Sequence, residues 1–360
     1  MFWNQQWMEG AGRFYPVHWI ESRFIFSYLQ DINAYKTLQF VVLFLAGVLF
    51  AYIGYLFSNS HSISILILAL LPVTTQFRRD FDPHLAFASM VPSMLIKIFL
   101  AVILILFSNN TKSRLKSMFF TVFAALLYFA AMSTYEFAFL LFPCLVLALL
   151  AHIDLSTSNL KSIFTRLLRD CRLYILGSAW FAYGILVFGY LRPKALEISG
   201  TYELGFSIDS IPVFLSQVFV GLPGITFRAN DIEIWNFSFQ YIVLFGWFCF
   251  FIFRFLIFSL ANDLIRRSEK RNSGKKLRRN SNVNESSSIS FDLRLFLFAL
   301  VFVFTPGLMM SLQPAWWNRA DLAHSYLGVL LTEFGTALMI AMAIYHFLSK
   351  QLKDSKRQML

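Results

Sequence analysis

Four polar stretches interrupt an otherwise apolar chain, and each brings chemistry-capable side chains together. They are Glu9-Gly10-Ala11-Gly12-Arg13-Phe14-Tyr15-Pro16, the run from Gln76 to His84, Ser133-Thr134-Tyr135-Glu136, and the run from Gln313 to Asp321. Carboxylates can take a proton from an attacking hydroxyl. Arginines can hold a departing phosphate through their two-pronged donor edge. Arg78 and Arg79 beside Asp80 and Asp82 supply both kinds within five residues. Glu136 follows the single polar break in a long apolar run, where partial loss of water suits a general base. Arg13 and Arg319 could complete a cationic rim. Each stretch also has a plainer reading. Arg78–Asp82 could be a solvated turn with local ion pairs. Glu136 could cap the helix that follows it. Trp316 and Trp317 suit an interfacial belt at least as well as a sugar platform. His18, His84 and His324 have no ligand spacing, so no zinc site is expected. The chain has no GxGxxG, Walker A, HExxH or GxSxG sequence.

The elements that position these residues are set by composition. Hydrophobic residues make up 58% of the 360 and charged residues 14%, with 43 phenylalanines. A soluble domain carries about 45–50% and 25% respectively. This excludes a water-soluble globule and predicts an all-α polytopic membrane bundle. Three cysteines, Cys144, Cys171 and Cys249, form no framework. Apolar runs long enough to span are Thr37–Phe57, His84–Phe107, Arg172–Leu191, Ser238–Leu260, Leu295–Ser311 and Leu322–Leu348, with a shorter one at Ser62–Val73. Lys116–Ile153 is too long for one crossing and reads as a hairpin turning at Ser133–Glu136, with each arm slightly short. The pattern predicts nine spans.

Charge orients them. With the C-terminus in the cytoplasm, the inner segments 108–116, 154–172, 261–294 and 349–360 hold 20 Lys/Arg and the outer segments 9. This accounts for the net charge of +11 without nucleic acid: the basic loop 261–294 lies beside anionic lipid, and no aromatics interleave with its charges. Twelve of the 20 Asp/Glu lie on the outer side, so the polar chemistry is expected there. The predicted organisation is interfacial helices over 1–36, a bundle over 37–348 with a structured outer loop at 192–237, and a cytoplasmic tail at 349–360. Residue 1 is then outside with no helix before it, which predicts a chain lacking an N-terminal span.

The motifs Gly12-Arg13-Phe14-x-Pro16, Gln76-x-Arg78-x-x-Phe81-Asp82-Pro83 and a helix break ending in Tyr135-Glu136 resemble the polytopic glycosyltransferases of the GT-C class. Pro306, the loop Gln313–Asp321 and Phe334-Gly335 resemble the C-terminal part of the same class. The resemblance covers most of the chain as hydropathy plus short motifs. It implies transfer of a sugar from a polyprenyl-phosphate donor to a cell-surface glycan or glycolipid acceptor, on the outer face of the cell membrane. It casts Glu136, Asp80 and Asp82 as catalytic carboxylates, and Arg78, Arg79, Arg13 and Arg319 as phosphate ligands. Gln76, Tyr135 and Glu9 become supporting residues. No cofactor is required, although a divalent cation could bridge Asp80, Asp82 and the phosphate. The class usually carries an acidic pair in its first outer loop. Only Glu9 stands there here, so a non-catalytic relative is one alternative.

Lys97 and Glu333 fall within spans near mid-depth, and an ion pair between them is the expected brace. A lipid-linked oligosaccharide transporter is the other alternative, but it would concentrate polar residues at mid-depth in several helices. The orientation is directly testable. A reporter that is active only in the cytoplasm should be active when fused after Leu360 and inactive when inserted at Asp209. The opposite result would invert every assignment above.

Overall fold

The computed structural model describes residues 12–75, 89–153, 160–199, 205, 207–220, 289–313, 317 and 329–358. The span read at Ser238–Leu260, Arg254 within it, and the basic loop 261–288 lie outside the described residues. Every regular element that is described is helical. In order these are α1 (Pro16–Tyr28), α2 (Ile32–Ser58), α3 (His61–Thr74), α4 (Met90–Asn110) and α5 (Arg114–Met132). A second arm, Glu136–His152, contains α6 (Phe142–Leu149). Then come α7 (Leu160–Arg169), α8 (Cys171–Gly184), α9 (Arg192–Ser199), α10 (Ser210–Val220), α11 (Ile289–Ser311) and α12 (Val329–Gln358).

Among the described residues, six stretches are long and apolar enough to cross a membrane: Ile32–Ser58, Met90–Asn110, Arg114–Met132, Cys171–Ala195, Leu293–Ser311 and Val329–Leu348. Large apolar side chains such as Phe40, Phe44, Phe119, Phe123 and Phe181 face outward from these helices. Lipid is the solvent that suits such a surface, and the protein is a membrane-embedded helical bundle.

Local signals set the helix ends. The Asp31 carboxylate accepts the Ala34 amide and starts α2, which stops at Asn59 in the left-handed conformation. Ser113 caps α5, and Asp170 accepts the Arg172 amide to begin α8. The chain turns at Ser133–Thr134 between α5 and the second arm. That arm is a 3-10 helix over Glu136–Leu141, α-helical over Phe142–Leu149 and 3-10 again over Leu150–His152. At roughly 2.0 Å per residue in 3-10 and 1.5 Å in α geometry, it reaches about 30 Å, against about 26 Å for an unbroken α-helix. The stretched winding gives a short arm the length of the hydrocarbon layer.

One helix end differs from the sequence expectation. The helix that begins at Cys171 does not end at Leu191. It winds as a π-helix over Ile185–Leu191 and continues as α9. By contrast, α11 runs through Pro306 and stops at Ser311, where the apolar run was expected to end. A proline in a membrane helix removes one backbone donor, and a packed neighbour compensates.

The core joins α2, α4, α11 and α12 through five phenylalanines. Phe50 lies 5.2 Å from Phe99, 5.5 Å from Phe302 and 5.0 Å from Phe334 between ring centroids. Phe298 packs at 5.4 Å from Phe302. Beside this cluster a Cβ on Gly335 would come within 2.7 Å of the Ala299 carbonyl oxygen. The Phe334-Gly335 pair therefore works as packing: one residue fills the core and the next lets α12 touch α11. Substituting Gly335→Leu should cost about 1–3 kcal/mol by overpacking, read as a lowered Tm in detergent. Gly177, which has nothing within 4 Å of a built Cβ, should accept leucine with little change. Equal tolerance at both positions would contradict the α11–α12 contact.

Candidate functional site

The turn at Ser133–Thr134 delivers Glu136 to the first turn of the second arm, where it is 3% exposed. Its side chain does not cap that helix. One carboxylate oxygen, Oε2, accepts from Arg192 Nη2 at 3.0 Å. The other, Oε1, lies 3.8 Å from Arg13 Nη2.

Arg192 arrives from the far end of α8. The π-helical turn before it ends with the Arg192 amide bonded to the Val187 carbonyl. Its guanidinium sits 4.7 Å above the Phe188 ring. A π-helical insertion often marks a functional position, because it shifts the side chains that follow around the helix. Arg13 arrives from the segment before α1. The Val17 amide donates to the Ser133 carbonyl at 3.2 Å, pinning this segment to the hairpin turn. Gly12 takes a left-handed φ of 61°, and a Cβ there would come within 2.7 Å of the Arg192 Cα. Only glycine lets the segment lie this close to Arg192.

Aromatic residues wall the cluster. Tyr15 packs against Tyr135 at 5.9 Å, and Phe14 against Tyr183 at 6.4 Å. The hydroxyls of Tyr15 and Tyr183 are buried with no hydrogen-bond partner among the described residues, as are Nε and Nη1 of Arg192. Burial pushes the Tyr15 hydroxyl well above its ordinary range, with Arg13 acting in the opposite direction. The cluster thus holds two cations, one carboxylate and donors left over. Its surplus charge is positive, and its unused groups suit a ligand rich in oxygen acceptors.

A second polar group fixes α1, and with it Arg13. Lys97 Nζ donates to Glu21 Oε1 at 2.6 Å, and Ser93 Oγ donates to Glu21 Oε2 at 2.9 Å. This corrects the expected Lys97–Glu333 pair. The helix bearing Lys97 begins at Met90 rather than His84, so the lysine is seven residues along it, near the end where α1 docks. Glu333 is fully buried elsewhere on α12. His18 lies beside Ser22, with Oγ to Nε2 at 3.2 Å. Burial lowers its pKa below the ordinary 6.5, Glu21 opposing that shift and Lys97 adding to it.

Of the residues singled out from sequence, Glu136, Arg13 and Tyr135 come together. Asp80, Asp82, Arg78, Arg79, Gln76, Glu9, Arg319, Trp316, His84 and His324 lie outside the described residues. Trp317 donates its indole N–H to the Ser311 carbonyl at 2.9 Å, closing the end of α11. No group of three metal-ligating side chains occurs among the described residues. Sequence reasoning passed over Arg192 and Tyr183. The available signal was an arginine directly after an aromatic-rich apolar run. Compared with protein-family models, curated proteins and solved structures, the chain matches none.

Two outcomes follow. Glu136→Ala leaves Arg192 buried without its carboxylate and should destabilise the fold by about 3–5 kcal/mol. Joining Glu136→Leu to Arg192→Met should restore most of that, and thermal unfolding of the wild type, Glu136→Ala and the double variant checks it. Because the folded pKa of His18 is depressed, docking of α1 is favoured at pH above the ordinary value and weakens as pH falls below it. Amide exchange over 16–28, corrected for intrinsic rates, should rise between pH 7.5 and 5.5, and His18→Gln should flatten the change.

Proposed function

We propose that the chain is a GT-C-like membrane glycosyltransferase. It transfers a sugar from a polyprenyl-phosphate donor to a glycan or glycolipid acceptor on the outer face of the cell membrane. The reading includes nine spans with the C-terminus in the cytoplasm. The observation that carries it is the convergence of Glu136 with Arg13 and Arg192 in a buried, aromatic-walled cluster. Glu136 and Arg13 are 123 positions apart in sequence, and both were singled out on chemical grounds.

Glycosyl transfer from a lipid phosphate sends negative charge onto the leaving phosphate, and fixed cations stabilise it. Arg192 is suited to this because Nε and Nη1 remain available while Nη2 is held by Glu136. Glu136 aims that fork. A phosphate drawing the arginines toward itself would free the Glu136 carboxylate to accept the hydroxyl proton. Asp80 and Asp82 remain the companion carboxylates of this proposal, with Arg78, Arg79 and Arg319 on the rim.

The test uses the purified full chain with polyprenyl phosphate as probe and the uncharged polyprenol as control. Polyprenyl phosphate should raise the Tm of the native protein, and polyprenol should not. Arg192→Gln and Arg13→Gln should abolish the rise. In membranes supplied with polyprenyl-phosphate sugars, Glu136→Gln should lower turnover by about 100-fold or more, the range expected on losing a general base. Equal stabilisation by polyprenol, or unchanged turnover in Glu136→Gln, would sink the reading.

A further inference from the structure

The end of α8 opposite Arg192 carries a feature that the transferase reading does not use. About 21 residues separate Asp170 from Arg192 along a helical path, roughly 30 Å, or one hydrocarbon thickness. The two residues therefore mark opposite faces of the bundle. At the Asp170 end, α7 precedes α8 as a separate ten-residue helix, Leu-Lys-Ser-Ile-Phe-Thr-Arg-Leu-Leu-Arg. Its spacing is amphipathic: Ile163, Phe164, Leu167 and Leu168 fall on one face, and Lys161, Thr165, Arg166 and Arg169 on the other.

Only part of the apolar face is used within the protein. Leu167 packs against the core and Ile163 is half-buried, but Phe164 is 62% exposed and Leu168 43%. Arg166 and Arg169 are exposed, and α7 contains no acid. The nearest described acid, Asp170, is committed to Arg172, with Arg172 Nη2 to Oδ2 at 2.6 Å. Cys171 touches Met118 of α5. This brings the exposed Lys112, Arg114 and Lys116 to the same end of the molecule, with Leu115 82% exposed among them.

We infer that α7 is an interfacial anchor for anionic phospholipid: Phe164 and Leu168 enter the acyl boundary, while Arg166 and Arg169 hold headgroup phosphates of the inner leaflet. Exposed apolar groups next to Arg166 and Arg169, which pair with no acid among the described residues, match an anionic lipid surface in both polarity and charge at the depth where a bilayer ends. A soluble protein partner would match the apolar groups but gives no reason for cations without a single acid. The hinge at Asp170 suits the geometry. Arg172 bonds Asp170 and Asn109 Oδ1 at 2.7 Å, holding α8 to α4 while α7 turns aside.

The full chain in nanodiscs tests this, with single spin labels at Phe164→Cys, Leu168→Cys and Thr165→Cys in a background carrying Cys171→Ser and Cys249→Ser. In a phosphatidylcholine–phosphatidylglycerol mixture, positions 164 and 168 should be accessible to oxygen and shielded from a water-soluble nickel reagent. Position 165 should show the reverse. Native mass spectrometry should find phosphatidylglycerol enriched on the unlabelled wild-type protein. The enrichment should be lost in Arg166→Gln/Arg169→Gln and unaffected by added inorganic phosphate. Equal nickel access at 164 and 165 would overturn the anchor, whether α7 then proves bare or covered by a protein. Retained enrichment in the glutamine variant, or its loss to free phosphate, would overturn the lipid-headgroup assignment. None of these readouts depends on glycosyl transfer.

Discussion

Burying Glu136 requires a cation at each of its oxygens, and that requirement organises one end of the molecule. A carboxylate at 3% exposure without partners would cost several kcal/mol. Its two partners come from distant parts of the chain, Arg13 before α1 and Arg192 near the end of the stretch Cys171–Ala195. Gly12 must be left-handed for the N-terminal segment to reach the site, the 133–135 turn must present its carbonyl to Val17, and α8 must run on through a π-helical turn. These features look unrelated along the sequence. In the fold they meet one electrostatic demand.

The opposite end is braced on the same principle with different residues. Arg172 joins Asp170 to Asn109, while Ser108 of α4 bonds Ser117 and lies 3.3 Å from Thr121 of α5. Arg294 of α11 donates to the Ala151 carbonyl at the close of the second arm. Between the two ends the contacts are mainly aromatic and aliphatic, with Trp180 and Tyr128 donating to the Phe139 and Ala138 carbonyls of the second arm. Lipid offers no alternative hydrogen-bond partner, so the polar ties gather where the helices end.

The sequence made the fold class and much of one site legible, for definite reasons. Ser133–Glu136 stood out because no other polar cluster lies within 38 apolar residues. Arg13 stood out because charge is rare in such a chain. Arg192 did not, because hydropathy treats the first arginine after a span as its boundary, and its partner is 56 positions away. Lys97 was matched to Glu333 by estimated depth alone. Its actual partner, Glu21, comes from a helix that hydropathy cannot dock. The 3-10 winding of the second arm was also hidden, since residue types encode apolarity more directly than helical pitch.

The central claim is that Arg192, aimed by Glu136, is the phosphate anchor. Cryo-electron microscopy of the full chain with polyprenyl phosphate tests it most directly. The account requires the phosphate within hydrogen-bonding distance, about 3 Å, of Arg192 Nε or Nη1, with Arg13 on its other side. A phosphate bound at another part of the outer surface, with the Glu136–Arg192 pair undisturbed, would contradict it.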